Sequence, residues 1–88
     1  MAYAVRFSST VLKKLGKMDA KVYTRLMNWV ETNLEGCTNP RQHGKALTNN
    51  LKEYWSYRVG KYRLVAKIRD NELLIYMVRV DKREDVYD

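Results

Sequence analysis

The chain has 88 residues, 45% of them hydrophobic, and its 17 basic and 10 acidic side chains leave a formal net charge of +7. That length makes one domain, residues 1–88, with a small core, because a chain of this size buries only about 60–65% of the surface its unfolded form exposes. A single cysteine, Cys37, and a single histidine, His43, exclude an internal disulfide and a structural zinc site built from Cys and His within one chain.

This cysteine usage fits a reducing cytoplasm, which is the expected location. The first residues lack the apolar run of a signal peptide. No segment approaches the ~20 apolar residues of a membrane span, so no membrane partner is expected. The basic balance points to nucleic acid, the ribosome or an acidic protein as partner. Seven tyrosines and two tryptophans supply core area and flat surfaces on which bases stack.

Residues 2–7 alternate, with Tyr3, Val5 and Phe7 on one side and Ala4 and Arg6 on the other, which predicts a short strand. Ser8 or Ser9 then offers an N-cap. Val11, Leu12, Leu15 and Met18 follow at helical spacing with lysines opposite, predicting a helix over 9–17. Asp19 caps a second helix, whose stripe is Val22, Leu26, Trp29, Val30 and Leu34, and Gly36 is its stop. The short link between the two helices predicts an antiparallel helical hairpin.

Residues 36–51 read first as a plain connecting loop; it is long for a connector, however, and the alternative reading is that its Arg41, His43 and Lys45 flank a site. Two strands follow over 54–67, joined at Val59-Gly60-Lys61. Side chains alternate across a strand, so Trp55, Tyr57, Leu64 and Ile68 face the helices, and Ser56, Arg58, Arg63 and Lys67 face outward. Residues 69–72 form a turn. The apolar run 73–80 suits a central strand buried on both faces or nearly so, and 81–88 is a charged tail with Tyr87 near its end. The order is β-α-α-β-β-β. The expected class is α+β, with an antiparallel four-stranded sheet and a helical hairpin on one face. The first strand pairs most economically with the last.

Neither standard glycine-rich phosphate loop is present. The carboxylates are scattered, and no metal site or cofactor is expected. What remains is a set of cations and hydroxyls: Arg58 and Arg63 on one hairpin, Lys82 and Arg83 after the next strand, and Tyr87 shortly beyond. Such groups suit RNA cleavage without metal, in which a 2′-OH attacks its own 3′-phosphate. Arginine forks bind phosphate oxygens and stay charged, and a tyrosine stacks on a base to hold in-line geometry. Read physically, the residues describe a basic α+β domain that binds an anion.

The element order, the strand pair YWSYRVGKYRLVAKI, the ending VDKREDVYD, the start MAYAVRFSSTVLKKLGKM and the loop piece HGKALTNNLKEYW together resemble the RelE/ParE superfamily of bacterial toxins. The likeness covers almost the whole chain and rests on the ordered set rather than on one motif. It implies the RelE-like microbial RNase fold. For the favoured RelE branch it implies a toxin that cleaves mRNA in the ribosomal A site without metal. For the ParE branch it implies inhibition of DNA gyrase instead. A toxin-like RNA-binding relative with weak catalysis is a third reading.

Carried over by motif, the resemblance puts the phosphate-binding arginine at Arg63, the acid or charge-stabilising arginine at Arg83 and the stacking tyrosine at Tyr87. Its pair of basic residues falls on Ser56 and Arg58, and Ser56 departs from it. Lys82 stands where related toxins often carry histidine, although a lysine of ordinary pKa, about 10.4, is a poor base at neutral pH. The expected catalytic set is therefore Arg58, Arg63, Lys82, Arg83 and Tyr87. Lys45, Ser56, Lys61 and Lys67 are expected to contact RNA. The expected partners are a RelB-like antitoxin in a hetero-oligomer, the ribosome and mRNA.

Overall fold

The computed structural model describes residues 2–47 and 54–82. The elements are β1 (Ala4–Phe7), α1 (Ser9–Gly16), α2 (Ala20–Asn33), β2 (Lys45–Ala46), β3 (Tyr54–Val59), β4 (Tyr62–Arg69), a 3₁₀ turn (Asp70–Glu72) and β5 (Leu74–Lys82). The class is α+β, with both helices packed on a sheet, as expected.

Both helices begin where their caps dictate. The Ser8 hydroxyl accepts from Val11 N at 3.1 Å, and the Asp19 carboxylate accepts from Lys21 N at 3.1 Å. Lys13 and Lys14 in the last turn of α1 oppose the negative end of its dipole. Beyond α2 the chain turns at Gly36, whose φ of +79° favours a residue without a Cβ. The apolar stripes bury Val11 and Leu15 from α1 and Leu26 and Val30 from α2. They close one core with Tyr57, Leu64, Ile68, Ile75 and Met77 of the sheet. Among the described residues, no helix is long and apolar enough to cross a membrane.

The sheet corrects the four-stranded antiparallel expectation. It has five strands in the order β1-β5-β4-β3-β2, and β1 runs parallel to β5. The pairing of first with last is as expected, but its direction is not. Tyr3 N donates to Cys37 O and Gly36 N donates to Tyr3 O, so the helices return the chain to the end of β1 from which it set out. The chain then passes through β2, which runs antiparallel to β3, so that β3 runs parallel to β1, and two tight reversals later β5 runs that way too. The same segment covers the outer edge of β1, where Glu35 Oε1 accepts from Val5 N at 2.9 Å.

The fifth strand, β2, lies inside the stretch expected to be loop. It is two residues long, in register with Trp55 and Ser56 of β3. A two-residue Lys-Ala segment has no alternation to read, so only its partner defines it.

The run in β5 is also less buried than expected. Ile75, Met77 and Val80 are buried, while Leu74, Tyr76 and Val78 are half-buried and Arg79 is exposed. The spacing 75, 77, 80 breaks the period of two because of a β-bulge. Val65 pairs with Arg79 and Ala66 with Met77, leaving Val78 as the extra residue.

Candidate nucleic-acid interface

The hairpin β3–β4 turns on a two-residue loop, Gly60-Lys61. The positive φ sits at Gly60 alone, the signature of a type II′ turn, whose twist matches the flanking strands. This sets the register that aligns the outward face. Directly paired residues share a face, with Cβ atoms about 4.5–5.5 Å apart. Arg58 therefore lies beside Arg63, and Arg63 beside Asp81. The next outward row is Lys45, Ser56, Val65 and Arg79. The third is Tyr54, Lys67, Tyr76 and Arg6. On the opposite parity Tyr57, Val59, Leu64, Ala66 and Ile68 are buried, so the two faces of the hairpin divide as the alternation predicts except at Val65, which is buried although it belongs to the outward row.

Like charges directly opposite each other are unfavourable in a sheet. Yet Arg58 and Arg63 are paired, both are exposed, and neither has an ionic or hydrogen-bonding partner among the described residues. The arrangement leaves two forks of donors on a rigid support, which suits an anion with several oxygens. Arg58 also borders a groove formed with Arg25, Asn28 and Trp29 of α2.

A family model described as "ParE toxin of type II toxin-antitoxin system, parDE" matches residues 5–87. The chain belongs to the RelE/ParE superfamily of type II toxins. It is 32% identical to Toxin RelG of Mycobacterium tuberculosis over 87 residues, 99% of this chain and 98% of that one. Its fold superposes on a chain of the RelBE2 toxin–antitoxin complex from the same organism with a TM-score of 0.84 and 30% identity, covering 97% of this chain and 95% of that one. The isolated RelE toxin of E. coli matches with a TM-score of 0.75 and 22% identity over 97% and 88% of the two chains, a likeness of fold.

In this toxin the remaining expected site residues are placed as follows. Lys45 is exposed on β2, in register with Ser56, so a cation stands next to the position where the superfamily pattern has one. Lys61 is exposed at the tip of the hairpin. Lys67 Nζ lies 6.0 Å from the ring centre of Tyr54. Lys82 is exposed at the end of β5, in register with Tyr62 and thus on the parity of Val80, outside the Arg58–Arg63 row. Arg83 and Tyr87 lie outside the described residues.

Of the loop residues expected to flank the site, Lys45 alone reaches the outward face. Arg41 forms a bidentate pair with Asp70, at 3.0 and 2.9 Å, and Tyr3 Oη donates to the same carboxylate at 2.7 Å. Its hydrogen bonds from Arg41 and Tyr3 hold the Asp70 carboxyl below the usual range, and the hydrogen bond to Asp70 raises the Tyr3 phenol. Arg41 also lies over Trp55, 5.6 Å from its ring centre. His43 is edge-on to Trp29 at 6.3 Å. Burial pushes the Cys37 thiol up. Arg41 is thus held by Asp70 and Trp55, Cys37 packs against the core, and His43 remains exposed.

Arg79 was not expected on this face. Its number shares the parity of Ile75 and Met77, which point into the core. The signal was available, however: an arginine at a core parity followed by the apolar Val80 marks a bulge.

Proposed function

We propose that this toxin is a ribosome-dependent mRNA endonuclease that works without metal and inhibits translation. The 2′-OH of one nucleotide attacks the adjacent phosphorus, the P–O5′ bond breaks, and the products are a 2′,3′-cyclic phosphate and a 5′-OH. One proton leaves the 2′-OH and one reaches the departing O5′. The observation that carries the reading is the in-register Arg58–Arg63 pair on the outward face, lacking counter-ions among the described residues. A phosphate that gains charge in the transition state is stabilised by donors already in place.

In this reading Arg58 and Arg63 bind the scissile phosphate, Arg83 assists the leaving oxygen, Lys82 takes part in proton transfer and Tyr87 stacks on a base. Lys45, Ser56, Lys61 and Lys67 contact the RNA. The basic surface docks on the ribosome in the cytoplasm. A RelB-like antitoxin, of the kind found with the relative in the RelBE2 complex, neutralises the toxin in a hetero-oligomer by laying an acidic or amphipathic segment over the basic face. The ParE wording of the family description favours a second reading, inhibition of DNA gyrase without nuclease activity.

Induced expression followed by mapping of mRNA 5′ ends separates the two. Codon-phased cleavage is expected, with Arg63→Ala and Arg83→Ala each lowering it about 10²–10³-fold, as loss of one transition-state donor does. Growth arrest with intact mRNA and accumulated DNA breaks would replace this reading by the gyrase one. Tyr87→Phe is expected to keep cleavage and Tyr87→Ala to lose it, because stacking needs the ring and not the hydroxyl.

A further inference from the structure

The bulge at Val78 places Arg79 on the outward face, at the rim where β5 runs beyond the end of β1 and meets α1. A cleft lies there, lined by Thr10 and Lys14 of α1 and by Val78, Arg79 and Asp81 of β5. Within it the Asp81 carboxylate is held from two sides. Lys14 Nζ donates to Oδ1 at 3.1 Å, and Arg79 contacts Oδ2 through Nε at 3.0 Å and through its terminal nitrogen at 2.9 Å. Burial pushes the Asp81 carboxyl up, but the contacts and charges of Lys14 and Arg79 outweigh it and hold the group below its usual range. Asp81 is also the residue paired with Arg63. Two cations thus grip one anion immediately beside the arginine pair.

We infer that Lys14 and Arg79 form a second phosphate subsite for the RNA strand, flanking the one at Arg58 and Arg63, and that the Asp81 carboxylate occupies it until an RNA phosphate displaces it. The inference rests on the RNA reading of the outward face given above. The geometry favours it over a plain surface ion pair in two respects. The subsite and the arginine pair are joined through one residue, Asp81, so both can contact successive phosphates of one strand. Arg79 and Lys14 also remain well exposed while paired, with 68% and 53% of their side-chain surface open, so an incoming phosphate can reach them. Asp81 then acts as a positioning residue: it holds both cations in place and lowers the affinity of the resting toxin for RNA.

The test is a titration of a fluorescein-labelled single-stranded oligoribonucleotide against the folded toxin across a series of KCl concentrations. Each cation that neutralises a phosphate of a single strand contributes about 0.7 to the slope of log K against log salt, or about fivefold in affinity near 0.1 M. Arg79→Gln and Lys14→Gln are each expected to remove about that much slope and affinity, and Asp81→Asn to raise affinity by a similar factor. Arg63→Gln is the reference for the first subsite, and Lys21→Gln, on the groove along α2, is the neutral control. If Arg63→Gln lowers the slope while Arg79→Gln and Lys14→Gln leave it unchanged, the second subsite is refuted and the RNA reading stands. If the wild-type protein shows no salt-dependent binding, or Arg63→Gln has no effect, both phosphate subsites of the outward face are refuted, and the 5′-end mapping above decides the cleavage reading separately. Circular dichroism of each variant confirms that the fold is retained.

Discussion

Single positions show where this chain departs from the superfamily pattern that it resembles and what the fold places beside the departure. Ser56 stands where that pattern has a cation, and a reading along the strand stops at the departure. Across the ladder, Lys45 is in register with Ser56 at a Cβ separation of about 5 Å, and under the proposed function it supplies the charge from the neighbouring edge strand. Lys45 was expected to contact RNA, but its register with Ser56 was not legible in the sequence, because it sits in a loop-like stretch and its pairing is long-range. The faces of Arg58 and Arg63, by contrast, were legible from alternation alone, since a tight turn and a period of two determine them. Under the proposed function, Lys45→Ala should lower cleavage about tenfold, the equivalent of one charge-assisted contact of about 1.5 kcal/mol. Adding Ser56→Lys to that variant should restore most of it. Unchanged 5′-end signals in Lys45→Ala would show that the edge strand plays no part.

At the scale of elements, local signals were sufficient for the helices and the central hairpin, and insufficient for everything set by partners. Ser8 and Asp19 announce their helices, and Gly60 announces its turn. The parallel direction of β1 follows from where the helices deliver the chain, which no window of residues contains. The loop before β3 is a further case. Its sequence suggests a plain connector, yet it is seated tightly on the sheet. Tyr57 is 1% exposed and donates to Pro40 O at 2.6 Å, and Trp29 packs on its ring at 5.7 Å. Gly44 closes this seat. A Cβ there would lie 2.7 Å from Tyr57 Cε1 and 2.8 Å from Ser56 O. The ring is locked by its hydrogen bond and the carbonyl is backbone, so neither moves aside without breaking a contact. Gly44→Ala should therefore destabilise the domain by about 1–3 kcal/mol, the usual cost of overpacking, seen as a lower urea midpoint with an unchanged slope. A midpoint equal to wild type would mean that the loop shifts at no cost and is not anchored through Tyr57. Because Lys45 follows Gly44 directly, a displaced loop should also move the edge cation.

The whole molecule divides into a packed face under the helices and a charged face open to solvent, and two carboxylates tie the parts together. Asp70 joins the turn after β4 to the loop after α2 through Arg41 and to the chain start through Tyr3. Asp81 joins β5 to α1 through Lys14. Both carboxyls titrate below their ordinary value in the folded state. A group whose folded pKa is depressed binds protons more readily when unfolded, so it stabilises the fold at pH values above the unfolded pKa, about 3.9 for Asp. That stabilisation is lost as pH falls through the lower folded value. The urea midpoint should be nearly level from neutral pH down to about 5 and then drop. The Asp70 side chain is 58% exposed and that of Asp81 35%, so solvent screening limits each contribution to about 1 kcal/mol at most. The Asp70→Asn/Asp81→Asn double variant should be less stable at pH 7 and should lose less on acidification, its curve converging on wild type near pH 2, below the carboxyl range of about 3–4. Parallel curves over the whole range would assign acid sensitivity to other carboxylates and leave these two pairs without a part in holding the elements together.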